Sequence, residues 1–183
     1  MDDVYTWAIP PAFRVASCEA LQMQHKIPIR VIHPDGGIRL ELRPVEDIVG
    51  GLQAERSRRT GRLRAMVREG HPEFVVGTDG LPRPTFRGGA RLHEYLTHGR
   101  ERVVVHDDAV PFVREGRSLF STFALRADPA LVPGASALLV DDGDHYLGVG
   151  RLLLAPHEMG RLRRGVAVRV TAHAHSRPVG PEE

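Results

Sequence analysis

The feature that most restricts how this chain can fold is a series of short, closely spaced apolar runs between residues 102 and 172. Residues 102–105 (Arg-Val-Val-Val), 137–140, 146–154 and 166–172 each read as a strand. Pro133-Gly134 and Asp141-Asp142-Gly143-Asp144 punctuate them as turns. Strands this short, with turns at such intervals, pack as a compact barrel. One short helix fits between them, capped by Asp107 or Asp108, running through Val113 and stopped at Gly116.

The residues before 99 have a different texture. Residues 12–26 read as a first helix, preceded by Pro10-Pro11 and closed by Ile27-Pro28. Residues 29–33 and 38–43 alternate around Pro34-Asp35-Gly36-Gly37, the pattern of a β-hairpin. From 45 to 68 the spacing of Ile48, Leu52, Leu63, Met66 and Val67 predicts helix, interrupted by Gly50-Gly51 and Gly61. Short strands at 74–76 and near Thr85-Phe86 flank Thr78-Asp79-Gly80, and a helix over 90–98 would stop at Gly99. The expectation is an α+β fold: a small α+β domain over residues 1–98, a β-barrel domain over 99–175, and a disordered tail over 176–183.

Composition narrows the function classes. The 183 residues are 42% hydrophobic and 26% charged, a globular balance. No apolar run approaches the roughly 18 to 20 residues of a membrane span, and the acidic start Met1-Asp2-Asp3 is unlike a secretory signal. A cytoplasmic protein that does not engage membranes is expected. The single cysteine, Cys18, permits no internal disulfide and no cysteine-based zinc site. The ten histidines show no His-Glu-x-x-His spacing, and there is no Walker loop or Gly-x-Ser-x-Gly elbow. Gly148-Val149-Gly150 belongs to a strand, and the Asp141, Asp142, Asp144 turn lacks the EF-hand register and reads as a solvated hairpin turn. No catalytic constellation, metal site or cofactor is expected.

Net charge is only +2, yet of 25 basic residues Lys26 alone is lysine. The arginine fork suits bidentate phosphate contacts and stacking on bases. Arg56, Arg58, Arg59, Arg62, Arg64 and Arg68 crowd one stretch; on a helix Arg58, Arg62 and Arg59 would share a face. Arg161, Arg163 and Arg164 form a second cluster just before the final strand.

In this order the elements of the second half resemble the PUA family, named for pseudouridine synthases and archaeosine transglycosylases. The resemblance is carried by Val103-Val104-Val105, then the helix from Ala109 to Gly116, Ser118-Leu119-Phe120, and the run from Asp128 to the Pro133-Gly134 turn. Tyr146 to Arg151, Glu158-Met159, and Arg164 to Val170 complete it. It implies a PUA β-pseudobarrel that binds structured RNA, tRNA or rRNA. The α+β residues before it resemble, by position and size, the pre-PUA domain found in the C-terminal tandem of archaeal tRNA-guanine transglycosylases and in a ribosome-biogenesis family. The whole would then be an archaeal-type pre-PUA-like domain followed by a PUA domain.

In that family the glycine-containing loop after the helix and the last barrel strand form the RNA-binding surface. The match carries this role to Gly116, Arg117, Ser118, Phe120, Gly165 and Arg169, with the cluster Arg161, Arg163, Arg164 beside them. Gly116-Arg117-Ser118 is expected to offer exposed N–H groups, a cation and a hydroxyl to phosphate and sugar. For the ring of Phe120, burial in the core is the competing expectation, and the favoured one. Function then reads as non-catalytic RNA docking in RNA modification or ribosome biogenesis. The alternative is an accessory subunit that docks on a tRNA-modifying enzyme such as a transglycosylase and delivers RNA to it. A ribosome-assembly factor is the other candidate partner.

Overall fold

The computed structural model describes residues 26–32, 38–44, 50–96, 98–162 and 164–176. Strands β1 (Lys26–Ile32) and β2 (Ile38–Pro44) form the expected antiparallel hairpin, in unbroken register from Lys26↔Pro44 to Ile32↔Ile38. The expected first helix falls on residues 12–25, outside the described residues; its last position, Lys26, begins a strand instead. Residues 177–183 of the expected tail are likewise outside the described residues.

The helix expected over 45–68 is not formed over 50–68, and residues 45–49 lie outside the described residues. Residues from 53 onward make a four-stranded antiparallel sheet in the order β3-β4-β5-β6: β3 (Gln53–Arg56), β4 (Leu63–Arg68), β5 (His71–Val76) and β6 (Pro82–Pro84). The helical spacing is coincidental: Leu52 precedes β3, whereas Leu63 and Met66 lie on β4, beyond the turn. Gly51 and Gly61 take φ of +75° and +68°, which no helix accommodates. β3 is an edge strand exposed at all four residues, so it shows no apolar alternation. The strand expected near Thr85-Phe86 is β6, whose two prolines suit the opposite edge.

Helix α1 (Phe86–Tyr95) starts four residues earlier than expected. Thr85 is its N-cap, its Oγ1 accepting the Gly88 N–H at 3.3 Å. Two consecutive glycines in a first turn argue against helix, at about 1 kcal/mol each relative to alanine. Packing overrides that cost. A Cβ on Gly88 would lie 2.0 Å from the Glu73 carbonyl oxygen on β5, and one on Gly89 would lie 2.2 Å from Tyr146 Oη. The glycine pair therefore lets α1 sit directly between the small sheet and the barrel. Tyr146 donates its hydroxyl to the Phe86 carbonyl at 3.0 Å, and burial raises its pKa. Below, Leu92 is fully buried among Met66, Phe74, Leu138, Val149 and Ala172, drawn from both sheets.

Charges fasten the same junction. Buried Glu73 receives Arg68 at 2.9 Å and Arg91 at 3.1 Å. Asp144, expected in a solvated turn, instead meets the buried Arg102 Nε at 2.8 Å and His98 Nδ1 at 2.6 Å. Arg102 also donates to the His93 carbonyl at the end of α1, at 2.9 Å.

The second half is a six-stranded sheet in the order β8-β12-β11-β10-β7-β9. Its strands are β7 (Arg102–Val105), β8 (Leu119–Phe120), β9 (Ala124–Ala127), β10 (Ser136–Val140), β11 (Tyr146–Leu152) and β12 (Val166–His173). Only β7 and β10 pair in parallel. The two edge strands, β8 and β9, are consecutive in the chain and joined by the 3-10 turn Ser121–Phe123. That short tether pulls the edges together and rolls the sheet into a nearly closed pseudobarrel. Val103, Val105, Leu139, Leu152, Ala167 and Val168, all fully buried, fill it with the underside of a short helix, α2 (Val110–Arg114).

Candidate nucleic-acid interface

The interface is built around the end of α2. A 3-10 turn, Asp107–Ala109, leads into it; its cap is the His106 side chain, accepting from the Asp108 N–H, where Asp107 or Asp108 was expected. Pro111 opens the helix, since its missing N–H costs nothing there. Gly116 ends it at φ +84°. The Gly116 N–H reaches the Val113 carbonyl at 2.9 Å and the Arg117 N–H reaches the Phe112 carbonyl at 2.9 Å. This reciprocal pair is a Schellman cap. It corrects one expectation: the amides of Gly116 and Arg117 close the helix and are not donors toward a ligand. What the loop presents outward is the Arg117 guanidinium and the Ser118 hydroxyl.

A Cβ on Gly116 would meet His173 Nε2 at 2.6 Å. His173, at the end of β12, also contacts the Arg114 carbonyl through Nδ1 at 3.2 Å. Glycine is therefore required both by φ and by the ring above it, and the loop is held to the last barrel strand.

Beyond the cap the chain enters β8, where Leu119 is buried opposite Val168 and Phe120 pairs with Val166. The expectation of a buried Phe120 is not met: its ring is 51% exposed, and Leu119 takes the core position. Phe112, on α2, is 49% exposed. Between these rings lies a groove of about 240 Å³ lined by Ala109, Phe112, Val113, Arg117, Ser118, Leu119, Phe120 and Phe123. The Arg117 guanidinium stands 5.3 Å above the Phe112 ring and pairs with Glu115 at 3.3 Å. Half-exposed rings beside a planar cation have the chemistry on which a flat heteroaromatic group can stack.

The remaining expected residues surround this groove without lining it. Gly165, at φ +120°, accepts the Ser121 N–H at 2.9 Å and so borders Phe120. The Gly160 N–H reaches the Ser121 backbone oxygen at 3.2 Å, which brings exposed Arg161 to the same rim. Arg164 is exposed beside Gly165, and Arg163 lies outside the described residues. Arg169 is exposed on β12, one strand inward. Directly across from it on β11 stands Arg151, also exposed, which the sequence reading did not single out. Like charges in facing positions destabilise a sheet. Such a pair was invisible before the register was known.

The domain profile described as "PUA domain" matches residues 101–174. Among curated proteins, the tRNA-guanine(15) transglycosylase of Thermococcus onnurineus is 38% identical over 63% of this chain, and that of Methanocaldococcus jannaschii is 33% identical over 68%. The alignments span 20% and 19% of those proteins, so the chain corresponds to about a fifth of their length. The homology is to their C-terminal region. Among solved structures, a hypothetical protein from Pyrococcus horikoshii superposes with a TM-score of 0.53 at 24% identity, over 61% of this chain and 68% of that one. A conserved PUA domain protein from Thermoplasma acidophilum gives 0.50 at 21% identity, over 61% and 70%.

Proposed function

We propose, from the premise that residues 101–174 are a PUA domain, that this protein is a non-catalytic RNA-binding protein that docks on structured RNA, tRNA or rRNA, in RNA modification or ribosome biogenesis. The observation that carries the reading is the groove between Phe112 and Phe120. Two aromatic rings half-exposed to water around a stacked arginine are costly on a free surface and suit an unpaired base. Arg117 and Ser118 would meet the adjoining sugar-phosphate. Gly116 and Gly165 shape the backbone on either side, and Arg161, Arg164 and Arg169 extend the cationic rim. Arg151 joins them opposite Arg169.

The four-stranded unit before residue 101 would act as a pre-PUA-like domain. Supporting this, the transglycosylase alignment covers 63% of the chain, more than the PUA segment can supply, so the homology reaches back before residue 101. The same alignment favours a second reading, an accessory subunit that docks on a tRNA-modifying enzyme and delivers RNA to it.

The test is binding of purified protein to total tRNA and to rRNA fragments across a salt series, with Arg117→Glu/Arg169→Glu as the control. Salt-sensitive binding lost in the double variant is the expected result. No binding by the wild type at low salt would end the autonomous docking reading and leave the accessory-subunit one, which a pull-down with the modifying enzyme decides.

A further inference from the structure

We infer that the β3–β4 hairpin is a second RNA contact, a rigid tongue that grips phosphates away from the groove. This rests on the RNA-docking reading above. The loop joining β3 to β4 is closed by the Ser57 N–H bonding the Arg62 carbonyl at 2.8 Å, and by the Gly61 N–H bonding the Ser57 carbonyl at 2.8 Å. Thr60 N–H adds a bond to Ser57 Oγ at 3.3 Å, and Arg56 Nη1 reaches the Gly61 carbonyl at 3.1 Å. The turn is thus ordered by its own backbone.

On this ordered tip stand Arg56, Arg58, Arg59 and Arg62, all exposed. Among the described residues no carboxylate pairs with Arg58, Arg59 or Arg62. Like charges this close repel, and a polyanion removes that cost. The tip, Ser57-Arg58-Arg59-Thr60-Gly61-Arg62, has no aliphatic or aromatic side chain. It therefore lacks the apolar core around which a protein interface packs and the apolar face that membrane insertion needs. Charge and planar forks alone are what phosphate recognition requires. Charged residues also protect a sheet edge from pairing with another chain, and β3 is such an edge. Glutamate would protect it equally well, so reversing the charge separates the two roles.

The tongue is fixed to the barrel. Met66 on β4 shares the buried cluster with Leu92, Leu138 and Val149, so a contact at the hairpin orients the groove on the same body.

The experiment compares the full chain with Arg58→Glu/Arg59→Glu/Arg62→Glu and with the matching triple lysine variant, by fluorescence anisotropy on labelled tRNA across a salt series. An unchanged urea midpoint confirms folding. The expected result is at least a tenfold loss of affinity near 0.15 M salt. The slope of log K against log salt should become shallower by about two to three, at roughly 0.9 per phosphate contact, with most binding kept by the lysine variant. If the wild type binds and Arg117→Glu/Arg169→Glu weakens it, but the triple glutamate variant keeps affinity and slope, the tongue is overturned while docking stands. Absence of wild-type binding overturns both. Binding of polyglutamate or phosphatidylserine vesicles as tight as tRNA overturns the assignment to RNA.

Discussion

Replacing Glu101 by glutamine probes an electrostatic cost built into the start of the barrel. Glu101 is 5% exposed, holds φ of +57°, and immediately precedes β7. Its backbone is fully engaged: the N–H donates to Asp128 Oδ2 at 2.8 Å and the carbonyl accepts from the Leu138 N–H at 2.8 Å. Of its carboxyl, Oε2 is buried and unbonded. Burial, reinforced by the neighbouring Asp128 and opposed by Arg100, raises its pKa from 4.5 to about 7. The folded state thus binds a proton that the unfolded chain has released. Its contribution to stability is complete below pH 4.5 and is lost as pH rises through 7. At about 1.4 kcal/mol per pKa unit, the loss is about 3 kcal/mol. Glutamine stays neutral throughout. Urea unfolding from pH 4.5 to 8 should give Glu101→Gln a stability close to the wild type at the acidic end and up to about 3 kcal/mol greater at pH 8. A difference between the two proteins that does not vary with pH would refute the reasoning.

Four further outcomes are expected. Gly116→Ala forces a side chain to φ +84° and against the His173 ring, and should lower stability by about 1 to 3 kcal/mol in urea unfolding. Leu92→Ala empties the junction between the sheets and should cost about 2 to 5 kcal/mol, measured the same way. Asp144→Ala leaves the buried Arg102 guanidinium without its counter-charge and should cost about 3 to 5 kcal/mol; Arg102→Met with Asp144→Ala should recover much of it. Phe112→Ala and Phe120→Ala should each leave the urea midpoint almost unchanged while weakening tRNA binding by about 1 to 3 kcal/mol.

The pseudobarrel was legible because its strands alternate and its turns are chemically marked. The valines of β7, the Pro133-Gly134 turn and the glycine stop of α2 each have local signatures. The first half was less legible for physical reasons. β3 has no buried face and therefore no alternation, so its residues borrowed a helical period from β4. α1 is dictated by what it packs against: Gly88 and Gly89 weaken it locally and make it possible globally. At the groove, Arg117, Ser118 and Phe120 were placed together by their closeness in the chain, and the structure keeps them so. Phe112 has a local signal as a groove residue only in its i, i+5 spacing from Arg117 across a helix end. Arg151 required the β11–β12 register, which no local pattern supplies.

The seating of α1 on Tyr146 and Glu73 has a metrical consequence. Because a glycine-lined helix packs against both the small sheet and the barrel, the span from the arginine tongue to the Phe112–Phe120 groove is set by that packing. With both surfaces on one RNA, the second contact forms at an effective concentration set by that span. RNAs whose unpaired base lies too close to the only available phosphates to bridge it gain one contact only, and longer ones gain both. Affinity should then climb with RNA length in a single step, and the position of that step measures the molecule as a ruler would.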